Sequence, residues 1–140
     1  MTAGLVTVVG DLVEDVVVWL GGPVTAGTDN PATVRRAPGG SAANVAAAVA
    51  RAGGRARFVG RVGDDGDGLV ARLIADGVEA LVQRGGRTGT VVVLVDPDGE
   101  RTMFPDRAAS AELAAIDPAW LAGTAVLHIP AYGLQTAAGV

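Results

Sequence analysis

A pair of carboxylates, a pair of glycines and one side-chain amide hold most of the chemical potential of this 140-residue chain. Asp11 and Asp15 flank Leu12-Val13-Glu14, just beyond the apolar run Leu5 to Val9. Further on, Pro38-Gly39-Gly40-Ser41 leads into an alanine-rich stretch that carries a single amide, Asn44. Glycine has no Cβ, so a Gly-Gly turn lets a ligand come close to the backbone. The Ser41 hydroxyl is expected to cap the following helix, with Asn44 on its first turn facing the same approach. From position alone two readings of the acids stay open: ligand groups, or a turn residue (Asp11) and a solvated carboxylate (Asp15). Arg107 is a further candidate for an anionic or hydroxylated ligand, against a surface salt bridge with Asp106 or Glu112.

The elements that must position these residues read as alternating strands and helices. Leu5 to Val9, ended by Gly10-Asp11, has the uninterrupted apolar character of a strand buried on both faces. Ligands gather beyond the carboxyl ends of such strands in open α/β sheets. Val16 to Leu20, with Trp19, and Thr33 to Arg36 are β-prone, and Gly21 to Asn30 between them is a loop. Between Ser41 and Ala50 only Val45 and Val49 are larger apolar residues, so this helix is expected to pack very close to a sheet. Phe58 to Val62 is the next strand, and Leu69, Val70, Leu73 and Ile74 give Gly66 to Gly77 helical spacing.

The loop Gly63 to Gly68, GDDGDG, invites a calcium reading. Counted from Asp65, the EF-hand template fails at Leu69, Val70 and Asp76, which leaves acidic residues favourably placed at a helix N-terminus. The same glycines do not form G-x-G-x-x-G directly after a strand. Ala80 to Arg84 reads as a short strand, and Val91 to Val95 and Glu100 to Phe104 flank a type I turn at Asp96-Pro97-Asp98-Gly99. Hairpins inserted between α/β units often serve as lids. Glu112 to Leu121 holds short helical turns broken at Asp117-Pro118, and Ala125 to Ile129 is a strand. Its His128 is expected to be packed and hydrogen-bonded, without a nucleophile partner. Leu134 to Gly139 reads as the first turn of a crossover helix, so the chain is expected to be the N-terminal portion of a longer α/β protein.

Composition narrows the chemistry. One domain of this length buries roughly two-thirds of the surface its unfolded chain exposes. A net charge of −4 with scattered arginines gives no support for nucleic acid as a partner, so none is expected, and no apolar run approaches a membrane span. With no Cys there are no disulfides, zinc ribbons or thiol catalysis, which fits a reducing, cytoplasmic compartment. All 11 basic residues are Arg, so a Walker A loop, a protein-kinase ATP lysine and Schiff-base chemistry are absent from the chain.

Five blocks, in order, make the chain resemble the N-terminal half of a PfkB-type, ribokinase-like carbohydrate kinase. They are VVGDLVEDVVV (Val8 to Val18), PGGSAANVAAAVARAGG (Pro38 to Gly54), FVGRVGDDGDG (Phe58 to Gly68), TGTVVVLVDPDGERTMFPDRAA (Thr88 to Ala109) and VLHIPAYGL (Val126 to Leu134). The resemblance implies an α/β fold, a truncated Rossmann-like sandwich with a small β-sheet lid from residues of about 12–37 and 88–107. It also implies ATP- and Mg2+-dependent phosphorylation of a sugar or nucleoside hydroxyl, and a homodimer through the lid. By this resemblance Asp15, Gly39, Gly40 and Asn44 are substrate-binding, with Asp11 and Arg107 beside them. The carboxylate and amide suit vicinal hydroxyls. Ser41 stands where ribokinase has lysine, Val13 where it has asparagine, and Arg107-Ala108-Ala109-Ser110 replaces the commoner Arg-Gly-Ala-Asn. The family's Gly-Ala-Gly-Asp catalytic motif and Asn-x-x-Glu metal-associated motif do not occur, so no catalytic, nucleotide or metal residue is assigned here. The expectation is an acceptor site and lid that is inactive alone; the alternative is a non-catalytic sugar- or nucleoside-binding module.

Overall fold

The computed structural model describes residues 4–135. In chain order these form β1 (Leu5–Val9), β2 (Val13–Leu20), β3 (Ala32–Gly39), α1 (Ser41–Arg51), β4 (Arg55–Val62), α2 (Asp67–Ala75) and β5 (Val78–Arg84). The hairpin β6 (Thr90–Val95) and β7 (Arg101–Asp106) follows, and after two short 3-10 turns comes β8 (Thr124–His128). Two four-stranded sheets result: a parallel one ordered β5-β4-β1-β8, and a mixed one ordered β3-β2-β6-β7.

The parallel sheet is built as its apolar runs require. Val8, Phe58, Val62 and Val78 pack with Ala42, Ala43, Ala46 and Ala47 of α1 and Val70 and Leu73 of α2. Alanines at those four positions let α1 lie close to the strands, since its backbone is held off by one methyl group per contact. On the opposite face Val9 and Val59 meet Leu113, with Ile116, Trp120 and Leu121 around them. At the outer edge Val126, Leu127 and Ile129 are exposed, and β8 pairs with β1 alone among the described residues.

The second sheet grows from the ends of the first, leaving after Leu12 and returning into α1 through Gly39, then leaving again at Gly89 and returning at Arg107. Its one parallel pairing, β2 with β6, joins the two excursions, while β3 and β7 form the edges. Edge positions suit Pro38 and Pro105, whose missing N–H donors cost a central ladder a bond. The β6–β7 turn is closed as expected: Gly99 N–H donates to the Asp96 carbonyl at 3.0 Å, and the Asp96 carboxylate accepts from Asp98 and Glu100 N–H.

Several local expectations change. β2 and β3 are longer than the stretches Val16 to Leu20 and Thr33 to Arg36, so Asp15 lies within a strand and Pro38-Gly39 end one. Glu14 is tolerated in β2 because the Arg36 guanidinium on β3 pairs with it at 2.6 Å. Ser41 does not cap α1. Gly40 holds the N-cap position at φ 103°, so Ser41 is already the first helical residue and makes no capping bond. His128 is exposed on β8, not packed. Ala131–Gln135 is a 3-10 turn, and the remainder of the expected crossover helix, 136–139, lies outside the described residues. No described helix is long and apolar enough to cross a membrane.

Candidate functional site

The junction between the two sheets gathers most of the residues singled out by type. Asp11 ends the β1 loop, Asp15 sits two residues into β2, and Gly39 and Gly40 close β3 onto α1. Strand pairing brings them together: Val13 faces Gly39 and Asp15 faces Ala37 across the β2–β3 ladder. Both glycines are required by close approach. A Cβ on Gly39 would lie 2.1 Å from Asp15 Oδ1 and 2.3 Å from its Cγ. One on Gly40 would lie 2.3 Å from the Asp11 carbonyl oxygen, and its φ is one that L side chains rarely adopt. The glycine pair is thus the surface against which the β1–β2 connection and its carboxylates rest.

The two carboxylates have opposite surroundings. Asp11 is buried and takes a two-pronged bond from Arg107, with Nε to Oδ2 at 2.7 Å and Nη2 to Oδ1 at 2.7 Å. The Asp11 bond raises the already high pKa of the guanidinium, against the opposing effect of partial burial. Neither Asp106 nor Glu112 is the partner of Arg107; Arg87 holds Asp106, and Arg61 lies 3.8 Å from Glu112. Asp15 is half-buried and makes no hydrogen bond or ion pair among the described residues. Burial pushes its carboxyl above the ordinary 3.8, with the Arg101 charge acting in the other direction. Strand register places it on the same face as Val17, Val91, Val93 and Arg101. A carboxylate kept partly dry and unpaired is an acceptor waiting for donors.

Asn44 is exposed on the first turn of α1, its backbone N–H spent on the Gly40 carbonyl. It lines a shallow cleft of about 150 Å³ with Leu12, Pro38 and Arg51. A larger cleft of about 490 Å³ opens between the second sheet and α2, lined by Glu14, Arg36, Asp65, Arg87, Thr88 and Thr90. Reasoning from sequence passed over this lining. Its nearest signal in the sequence is Thr88-Gly89-Thr90, which opens the fourth block of the family resemblance.

The acidic loop before α2 also has a definite role. Asp65 accepts from Thr88 Oγ1 at 2.6 Å and from Thr88 N–H at 2.8 Å, while Thr88 Oγ1 accepts from Gly63 N–H at 3.1 Å. These bonds, the hydroxyl first, hold the Asp65 carboxyl below its ordinary range. The loop is therefore a fastening between the start of α2 and the root of β6. Among the described residues no three acidic or histidine side chains converge as a metal site would need.

The comparisons with known proteins agree with this architecture. The model of the pfkB family carbohydrate kinase matches residues 4–137. Fructokinase-2 of Solanum habrochaites is 38% identical over 117 residues, which is 80% of this chain and 35% of that protein. The chain spans about a third of the length of the curated relatives it matches. Among solved structures, fructokinase with bound ATP from Xylella fastidiosa superposes with a TM-score of 0.73 at 28% identity, covering 91% of this chain and 42% of that one. Ribokinase from Thermotoga maritima gives 0.75 at 28% identity, covering 88% and 43%.

Proposed function

The chain belongs to the pfkB family of carbohydrate kinases, and on that premise we propose that it supplies the acceptor site and lid of an ATP-dependent sugar kinase. The observation that carries the reading is Asp15. Its carboxylate is half-buried and unpaired among the described residues, and it rests against a glycine backbone at the junction of the two sheets. Such a group accepts two hydroxyl donors from one sugar ring, and Gly39 and Gly40 leave the room that Asp15 and the Asp11–Leu12 backbone occupy. The Asn44 amide, in the neighbouring cleft with Leu12 and Pro38, can donate and accept there. Fructokinases among the relatives favour fructose as the first sugar to try.

In this reading the sheet β3-β2-β6-β7 is the lid. Closing it over the acceptor excludes water, which would otherwise compete for the phosphoryl group. Phosphoryl transfer is achieved by positioning and charge stabilisation, so the chain's share is to orient the accepting hydroxyl. The relative solved with ATP supports ATP as the donor, with Mg2+ as its companion. The residues of this chain do not fit that second role: there is no lysine and no convergent acidic set among the described residues. No nucleotide or metal step is assigned to them. The exposed Val34 and Phe104, on the lid face opposite Asp15, are where a second copy would pair.

Calorimetric titration of the purified chain with fructose and ribose tests the proposal, with ADP release followed in magnesium-ATP. One sugar should bind, and Asp15→Ala should weaken it by about 10–150-fold, the value of a hydrogen-bonded charge. Binding indifferent to Asp15→Ala, or turnover by this chain alone, would overturn the assignment.

A further inference from the structure

Arg107 is the most heavily engaged side chain at the junction. Beyond its two bonds to Asp11, its Nη2 donates to the Tyr132 carbonyl at 2.8 Å and its Nη1 to the Gln135 carbonyl at 3.1 Å. One guanidinium thus ties the last residue of the second sheet's return to the end of β1 and to the turn after β8. Its own backbone closes the knot: Arg107 O accepts from Ser110 N–H at 2.9 Å, and a Cβ on Gly89 would sit 2.5 Å from that same oxygen. Ser110, fully buried, donates through its hydroxyl to the Leu12 carbonyl at 3.1 Å, the point at which the chain enters β2. Both roots of the second sheet therefore meet at one ion pair. Little of the pair is left for a ligand, because both Asp11 oxygens accept from Arg107 and the Asp11 side chain is only 9% exposed.

We propose that Asp11 and Arg107 form a positioning clamp, which fixes the root of the lid on the central sheet and so holds Asp15 at its station, without either residue touching the sugar. The proposal rests on the acceptor reading of Asp15 for its functional consequence, but its mechanical part stands without it. Asp15 is four residues from Asp11, and only Leu12 separates the clamp from β2, the strand that carries it. If the clamp opens, β2 and β6 lose their common anchor, and the lid should move as a unit on an intact sheet.

Hydrogen exchange and calorimetry on the full chain test this. Lid amides (β2, β3, β6, β7) are compared with central amides (β1, β4) in the wild type, Arg107→Ala, Asp11→Ala and the double variant. Lid exchange should quicken by about tenfold in each single variant and no further in the double, with central amides within about twofold. Arg107→Lys, which keeps the charge but loses the fork, should recover part of the protection. The fructose Kd should rise about tenfold in Arg107→Ala and stay there in the double variant. Unchanged lid exchange with weakened fructose binding would make Arg107 a ligand and overturn the clamp. Equal quickening in β1 and β4 would make the pair a general structural bridge and also overturn it. A wild type that binds no fructose would count against the acceptor reading, while the exchange comparison still decides the clamp.

Discussion

Gly39→Ala separates the geometry of the site from its stability. The new methyl carbon would start 2.1 Å from Asp15 Oδ1, 2.3 Å from Cγ and 2.5 Å from Oδ2, with no backbone atom among these contacts. The obstacle is the free end of a side chain, so Asp15 must swing aside by about 1 Å or more to restore ordinary packing. An off-rotamer carboxylate costs about 0.5–1.5 kcal/mol, and modest overpacking adds to it, so the loss should be about 1–2 kcal/mol. For a domain of this size that lowers Tm by roughly 3–8 °C. Sugar affinity should fall much further, by the same ~10–150-fold as in Asp15→Ala, because the acceptor has been moved. Differential scanning calorimetry and fructose titration give both numbers. The decisive comparison is Gly39→Ala in an Asp15→Ala background, where the obstacle is gone and the stability cost should largely vanish. An undiminished cost there would refute the contact as cause, and full sugar affinity in Gly39→Ala alone would refute Asp15 as anchor. Gly40→Ala is the built-in contrast. Its obstacles are the Asp11 carbonyl and Leu12 Cα and its φ is 103°, so no side-chain change should rescue it.

Two further outcomes follow from local physics. Asp15→Asn keeps the shape and removes a poorly solvated charge, so at neutral pH it should stabilise the fold. Solvent screening at this partly open site limits the gain to about 0.5–1 kcal/mol. Because burial raises the folded-state pKa above 3.8, the charged form is the penalised one, and protonation relieves it as pH falls through the raised value. Melting curves should show the Tm gap between the variant and wild type closing between neutral pH and about 3.8; a gap that widens on acidification would contradict the cause given. Ala108, at the second sheet's return, has φ 42°, a left-handed conformation that costs a Cβ-bearing residue about 1–2 kcal/mol. Ala108→Gly should therefore recover up to about 1 kcal/mol, and a chemical denaturation midpoint at or below that of the wild type would contradict it.

What the sequence disclosed and what it withheld divide along the range of the interactions. Leu5 to Val9 coincides with β1, and the Asp96-Pro97-Asp98-Gly99 turn and the alanine face of α1 are where local pattern places them, because turn chemistry and burial period act over a few residues. The family resemblance in turn supplied Asp15 and the glycine pair as a set, which no local rule does. The misplacements arise where a distant partner overrides a local preference. Glu14 and Asp15 lower the β-propensity of their stretch and fall outside the strand expected over Val16 to Leu20, yet β3 and β6 pair on either side of them and Arg36 neutralises Glu14. Ser41 has the composition of an N-cap, but Gly40 takes the position, since only a residue without a side chain fits against the Asp11 carbonyl.

The pairs that organise the junction were beyond any such reading. Asp11 and Arg107 are 96 residues apart, and Asp65 and Thr88 are 23. Each of these four residues has an ordinary local explanation as a turn acid, a surface cation or a strand lead-in, so neither pair announces itself. Their significance comes from topology. The second sheet leaves the parallel sheet twice and rejoins it twice, and a sheet attached only by covalent loops would be free to tilt. Asp11–Arg107 and Asp65–Thr88 fasten its two roots at different points: one at the end of β1, the other at the start of α2. Asp15, four residues after Asp11, has no side-chain partner among the described residues. That contrast, rather than charge or position, is what sets Asp15 apart from Asp11 and Asp65, whose carboxylates are already engaged by the fold.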